Sequence, residues 1–211
     1  IRIDHFNGFA KYWEIPASDN HGLNGKWKEG PGIPFFEKVF DKINSKIILA
    51  EDLGEAYKDA KKIRDVFKIP GMKILQFSFG NGDPYHEMDQ NTVLYTGTHD
   101  NSTCIGWFDE LLNDKELNSE KNSINLVDEV IKYIDYKPSD LIHWNMILYA
   151  MSSKASYCII PLQDILGLND NSRMNIPGTV GNNWLWRFKK ETLTEAIKEK
   201  LKLITKDVNR I

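Results

Sequence analysis

The sequence predicts an α/β fold built on a parallel sheet, and three observations carry that prediction. Short, nearly continuous apolar runs recur along the 211 residues, segments with apolar residues at helical spacing separate them, and polar Gly-bearing turns join the two. Continuous apolar character, rather than alternation, marks a strand covered on both faces.

Five runs qualify as strands: IRI at 1–3, KIILA at 46–50, MKILQFSF at 72–79, TVLYTGT at 92–98 and SYCIIPL at 156–162. Each is short and rich in β-branched or aromatic residues. A helix is predicted from Glu55 to Phe67, where Ala56, Ala60, Ile63, Val66 and Phe67 share a face and Lys68-Ile69-Pro70-Gly71 ends it. Asn125 to Tyr136 repeats the pattern with Leu126, Val127, Val130, Ile131 and Ile134, before Pro138. Ser139-Asp140 reads as the cap of a further helix reaching about Met151. Thr192 to Val208 sets Leu193, Ile197, Leu201 and Ile204 against a lysine face, a closing surface helix. With no linker between these elements, residues 1–211 are expected to form part of a single catalytic domain.

Two stretches read as long loop insertions, about 10–34 and 163–190, both rich in Gly, Pro and Trp. Long ordered loops in compact domains are commonly functional. Trp13 and Trp27 on the first and Trp184 and Trp186 on the second would either stack on the apolar faces of sugar rings or pack as lids.

Composition narrows the classes. A net charge of −3 with interspersed signs offers no basic stripe for a phosphate backbone, so nucleic acid is not an expected partner. The longest apolar stretches fall far short of the roughly 20 residues of a membrane helix. Cys104 and Cys158 have neither disulfide-framework nor metal-ligand spacing and are expected as reduced thiols, which fits a cytoplasmic setting and is compatible with a plastid. No EF-hand spacing, HExxH or Cys/His pairing appears, so neither a catalytic metal nor a cofactor is expected.

Acids stand at the C-terminal ends of three predicted strands, where parallel α/β folds build their active sites: Asp4 after IRI, Glu51 and Asp52 after KIILA, and His99-Asp100-Asn101 after the 92–98 run. Any one Asp in such a place could be a helix cap. A Glu followed by Asp-Leu-Gly is not a preferred cap, and the convergence of three strand ends points to chemistry. Carboxylates held in different environments are what glycosidic bond cleavage requires. Arg2 shares a strand face with Asp4 by the period of two, so its guanidinium would orient that carboxylate and keep it ionised. Asp52 should face away from Glu51.

The blocks IRIDHFNGFAKYWEIPA, ILAEDLG, IPGMKILQFSF, YTGTHDNST and PLQDILGLNDNSRMNIPGTVGNNWLWRF closely resemble, in order, motifs of the 4-alpha-glucanotransferase or amylomaltase family of the alpha-amylase clan. The resemblance implies a (β/α)8 TIM barrel, here only the C-terminal part from strand 4 to strand 8 plus a closing helix, and hence a fragment of a longer enzyme. It makes Asp4 the nucleophile, Glu51 the acid/base and Asp100 the transition-state stabiliser. It also makes Arg2 the residue that orients the nucleophile and His99 a contact to sugar. From the aromatic loop at about 10–34, rather than from the resemblance, Trp13 is expected among the substrate-binding residues. His5 fits the pattern without an assigned role. The implied substrates are alpha-1,4-glucan and malto-oligosaccharide donors with glucose or malto-oligosaccharide acceptors. A retaining alpha-glucan hydrolase and a noncatalytic glucan-binding fragment stand as alternatives. Two departures from the family wording are GNGDPYHEMDQNT before the 92–98 run, and Asn7, where Arg is common.

Overall fold

The computed structural model describes residues 1–44, 48–54, 57–80, 88–117 and 121–210. The chain forms two compact units: Ile1–Lys73 with Asn91–Val93, and Ile74–Gln90 with Leu94–Ile211.

In the first unit β1 (Arg2–Ile3) is followed by an antiparallel hairpin of β2 (Lys11–Glu14) and β3 (Lys26–Glu29), then by α1 (Gly32–Phe40), β4 (Leu49–Ala50), α2 (Tyr57–Phe67) and β5 (Gly71–Ile74). β1 and β4 are parallel, with Arg2 opposite Leu49 and Ile3 opposite Ala50. Their ladder continues past both strands: Glu51 N–H donates to Ile3 O at 2.9 Å, and Phe6 N–H donates to Glu51 O at 2.8 Å. Ala50 N–H reaches Pro70 O at 2.8 Å, tying β4 to the residue before β5.

The core of this unit is aromatic. On α1, Phe36 meets the buried Phe6 and packs on Phe40 one helical turn on, and Phe67 closes the cluster from α2 against both. The 10–34 segment is therefore not a plain loop, because it holds a hairpin and the start of a helix. Val66 also departs from expectation and is exposed. The buried stripe of α2 is centred on Ala60, Ile63, Arg64 and Phe67, and two residues at about 100° each carry Val66 from Arg64 to the far side.

The second unit begins within β5 and contains β6 (Thr92–Tyr95) from Leu94 onward, α3 (Cys104–Leu117), α4 (Lys121–Tyr133), α5 (Ile142–Met151), β7 (Tyr157–Ile159), α6 (Leu162–Ile165) and α7 (Glu195–Asp207). Strands β6 and β7 are neighbours in its sheet. The 72–79 run is a strand only to Ile74, since Leu75–Ser78 tightens into a 3-10 turn. Val130 from α4 and Ile134 just past its end, Met146 and Ala150 from α5, and Cys104 and Phe108 from α3 share a buried core. The α7 face of Ile197, Leu201 and Ile204 packs on Trp144, Ile147 and Met151. Helix α7 starts one turn later than expected, with Thr194 as its cap; Leu193 lies outside it. Ser139-Asp140 does not cap α5. Asp140 accepts from Lys137 N–H at 3.0 Å in the preceding turn, and α5 begins after Leu141. Among the described residues no helix is long and apolar enough to cross a membrane.

Candidate active site

Asp4 and Glu51 meet where β1 and β4 end. Arg2 Nε donates to Asp4 Oδ1 at 2.6 Å, a charge-assisted bond that fixes the carboxylate on the strand face both residues share. The Asp4 side chain stays 64% exposed, open to a ligand. The chain then turns sharply: His5 lies in the left-handed region at φ 51, and its main-chain N–H donates to Glu51 Oε2 at 2.6 Å. Gly8 follows where a Cβ would stand 3.1 Å from His5 Cδ2. Asn7 is buried and donates from its amide to Leu53 O, joining the β1 turn to the segment after Glu51.

Asp52 faces away from Glu51. It is 1% exposed, its Oδ2 lies 2.7 Å from Arg64 Nε, and its Oδ1 accepts from Met72 N–H at 3.0 Å. Burial pushes the Asp52 carboxyl above the usual carboxylate range, against the pull of Arg64 and the Met72 amide. Gly71 gives way to this pair, because a Cβ there would meet Arg64 Nη1 at 2.2 Å. Asp52 is therefore an internal brace between β4, α2 and β5.

On the hairpin Trp13 stands opposite Trp27, their rings edge to face at 5.4 Å. Trp13 Nε1 donates to Gly22 O at 2.8 Å, and the ring covers Gly25. Much of Trp13 is thus spent on the hairpin, although 42% of it remains exposed.

His99 and Asp100 lie in the second unit. His99 Nε2 is 3.3 Å from Asp100 Oδ2, and Asn175 Nδ2 donates to Asp100 Oδ1 at 2.6 Å. Asn175 N–H also donates to His99 O at 3.1 Å, while Arg173 Nη2 donates to Asp100 O at 2.8 Å. The Trp184 ring lies 5.0 Å from the His99 ring. Asn101 turns inward, its Oδ1 accepting from Thr98 N at 2.9 Å and Thr98 Oγ1 at 2.7 Å. Beside the loop is a cavity of about 160 Å³ whose polar wall includes His99, Ser102, Gln163, Asp164 and Arg173.

Behind it Asp164 is 2% exposed and anchors the start of α3. Its Oδ1 accepts from Cys104 N–H at 2.7 Å and its Oδ2 from Thr96 Oγ1 at 2.6 Å. Burial raises the Asp164 carboxyl, and burial beside that carboxyl raises the Cys104 thiol. Both cysteines are free thiols. Among the described residues no group of three or more His, Cys, Asp or Glu side chains is arranged to hold a metal ion.

The structure thus brings Arg2, Asp4 and Glu51 together in one unit and His99 and Asp100 together in the other. Arg173 and Asn175 lie in the 163–190 loop, with no sequence feature that assigns them a partner. Their spacing of two in RMN, after a turn-forming NDNS, was the available signal, but an irregular loop has no period from which to read a partner.

Comparison with known proteins identifies the family of the chain. A family profile described as 4-alpha-glucanotransferase matches residues 1–194. The 4-alpha-glucanotransferase of Synechocystis is 39% identical over 211 residues, covering 97% of this chain and 40% of that protein. The chloroplastic/amyloplastic enzyme of Solanum tuberosum is 41% identical over 196 residues, covering 91% and 32%. Among solved structures, an amylomaltase from Streptococcus agalactiae in complex with acarbose superimposes with a TM-score of 0.87 at 36% identity, covering 99% of this chain and 41% of that one. The amylomaltase of Corynebacterium glutamicum, at 16% identity and TM-score 0.65, shares the fold over 94% of this chain and 33% of its own. The chain spans about 40% or less of the length of each of these relatives. By profile, identity and fold, the chain belongs to the 4-alpha-glucanotransferase family.

Proposed function

We propose that this chain carries the carboxylate machinery of a 4-alpha-glucanotransferase and corresponds to strands four to eight of a (β/α)8 barrel with its closing helix. The observation that carries the reading is the β1/β4 junction. Two neighbouring parallel strands end in Asp4 and Glu51, with Arg2 Nε on the first carboxylate and the His5 amide on the second.

Asp4 attacks the anomeric carbon of an alpha-1,4-linked glucose while Glu51 gives its proton to the departing 4-oxygen, yielding a β-glucosyl ester on Asp4 and a shortened glucan. The Glu51 carboxylate then takes the proton of an acceptor 4-hydroxyl, whose oxygen displaces Asp4 and restores the alpha-1,4 bond. Retention by this route calls for carboxyl groups roughly 5 to 5.5 Å apart. Asp100 stabilises the oxocarbenium-like ring, His99 holds a sugar hydroxyl, and the exposed part of Trp13 offers an apolar face to a sugar. Donors are alpha-1,4-glucans and malto-oligosaccharides, and acceptors are glucose or malto-oligosaccharides. The acarbose bound by the Streptococcus agalactiae relative supports an oligosaccharide ligand. We assign the reaction to a cytoplasmic setting, or to a plastid as the name of the Solanum tuberosum relative has it.

The test is incubation of the full-length protein with maltotriose. Glucose with oligosaccharides longer than the substrate is the expected outcome. Maltose and glucose without longer products would make water the acceptor and overturn transfer, and no product at all would leave the noncatalytic reading.

A further inference from the structure

The Asp100 loop is held by a group to which the catalytic reading gives no part. Arg173 spans two positions of that loop: Nη2 donates to Asp100 O at 2.8 Å and Nη1 donates to Ser102 Oγ at 3.2 Å. Nη1 also lies 3.6 Å from Asp170 Oδ2. The other oxygen of Asp170 accepts from Thr103 N–H at 2.8 Å and from Thr103 Oγ1 at 3.2 Å, at the residue before α3. One carboxylate and one guanidinium, three residues apart, thus tie Asp100, Ser102 and Thr103 to a single short turn.

The seat of Asp170 is built for it. A Cβ at Gly106 would fall 2.1 Å from Asp170 Oδ1, so only glycine in the first turn of α3 lets the carboxylate reach Thr103. The opposite side is fixed as well, with Gln76 Nε2 donating to Ser102 O at 2.8 Å. Arg173 has a side-chain exposure of 16% and Asp170 of 30%, so both are partly shielded from competing water. Asn175 holds the Asp100 carboxylate itself, while the Asp170–Arg173 pair holds the backbone that carries it.

We infer that Asp170 and Arg173 are positioning residues that set the location of the Asp100 carboxylate. The inference rests on the proposed role of Asp100 in stabilising the transition state. Such a carboxylate acts through geometry, and a displacement of about 1 Å can cost about 100-fold in rate. A lysine cannot substitute, because one ammonium on a flexible stem does not serve Asp100 O and Ser102 Oγ in the fixed fork of a guanidinium.

The experiment measures maltotriose disproportionation by the full-length protein and its R173K, R173A, D170N and G106A variants, at a temperature where each is folded by circular dichroism. The expected result is a fall in kcat of roughly 10- to 100-fold with KM within about threefold of wild type. G106A should act like D170N, although it removes no polar group. D170N combined with R173A should lose little beyond either alone, and guanidinium ion should restore part of the R173A rate. A merely structural role would lower the melting temperature while leaving kcat of the folded protein and its guanidinium response unchanged. A folded R173K or G106A with kcat within twofold of wild type overturns the inference. Failure of the wild-type protein to turn over maltotriose overturns instead the reading on which it rests.

Discussion

The main-chain N–H of His5 donates to Glu51 Oε2 at 2.6 Å, so the residue after one candidate catalytic acid holds the other. The bond depends on His5 adopting φ 51, a left-handed conformation that costs about 1 to 2 kcal/mol for an ordinary residue and more for a β-branched one. His5→Gly should keep the turn and the Glu51 bond at a stability change of less than about 1 kcal/mol, whereas His5→Val should lose about 2 kcal/mol or more. Denaturant midpoints check the ordering. Equal loss in the two variants would mean that the imidazole, not the backbone, maintains the junction.

Asp4 carries the heaviest prediction of the mechanism. Asp4→Asn preserves an acceptor oxygen for Arg2 while removing the carboxylate proposed as the nucleophile, so transfer should fall by on the order of 1000-fold or more with little change in melting temperature. Disproportionation kinetics beside a thermal melt read both halves. Retained activity would remove Asp4 from its role.

The buried Asp52–Arg64 pair should behave asymmetrically. Asp52→Asn leaves a guanidinium of 9% side-chain exposure without its partner and should cost about 3 to 5 kcal/mol. Adding Arg64→Met removes that stranded charge, while the introduced side-chain amide still offers an oxygen to the Met72 N–H, so the double variant should recover most of the loss. Urea unfolding of the four proteins closes the cycle, and a double variant as unstable as Asp52→Asn would show that the pair is not the brace inferred here.

His143 should make stability depend on pH. It is 6% exposed on α5 and packs on Gly167, where a Cβ would come within 2.7 Å of its ring. Burial, helped by the charge of Lys200, lowers its pKa from 6.5 to about 4. Between those values the unfolded chain takes up a proton that the folded chain refuses, so stability present above pH 6.5 is lost as the pH falls to about 4. The loss from this group amounts to at most about 3 kcal/mol. Comparing the pH dependence of unfolding for wild type and His143→Leu isolates it, and parallel profiles would contradict the assignment.

Much of the fold was legible because hydrophobic period survives any context. The apolar runs around Ile3, Ala50, Met72, Val93 and Cys158 each contain a strand, and the stripes of α2, α4 and α7 follow 3.6-residue spacing. The hairpin of β2 and β3 was not legible, since its strands carry lysines and glutamates on both faces and gain their pairing from each other rather than from a core. Helix α1 was hidden behind Pro31 and Gly32, and it forms because Phe36 and Phe40 find Phe6 and Phe67 across the unit.

In the site, strand periodicity alone marks which acids stand at strand ends and puts Arg2 on the same face as Asp4, because both follow from local geometry. The reach of the His5 amide to Glu51, the inward turn of Asp52 to Arg64, and the grip of Arg173 and Asn175 on Asp100 from a loop more than 70 residues away come from packing. Those bonds join segments with no common period, and their partners are chosen by where the packed elements bring the chain together.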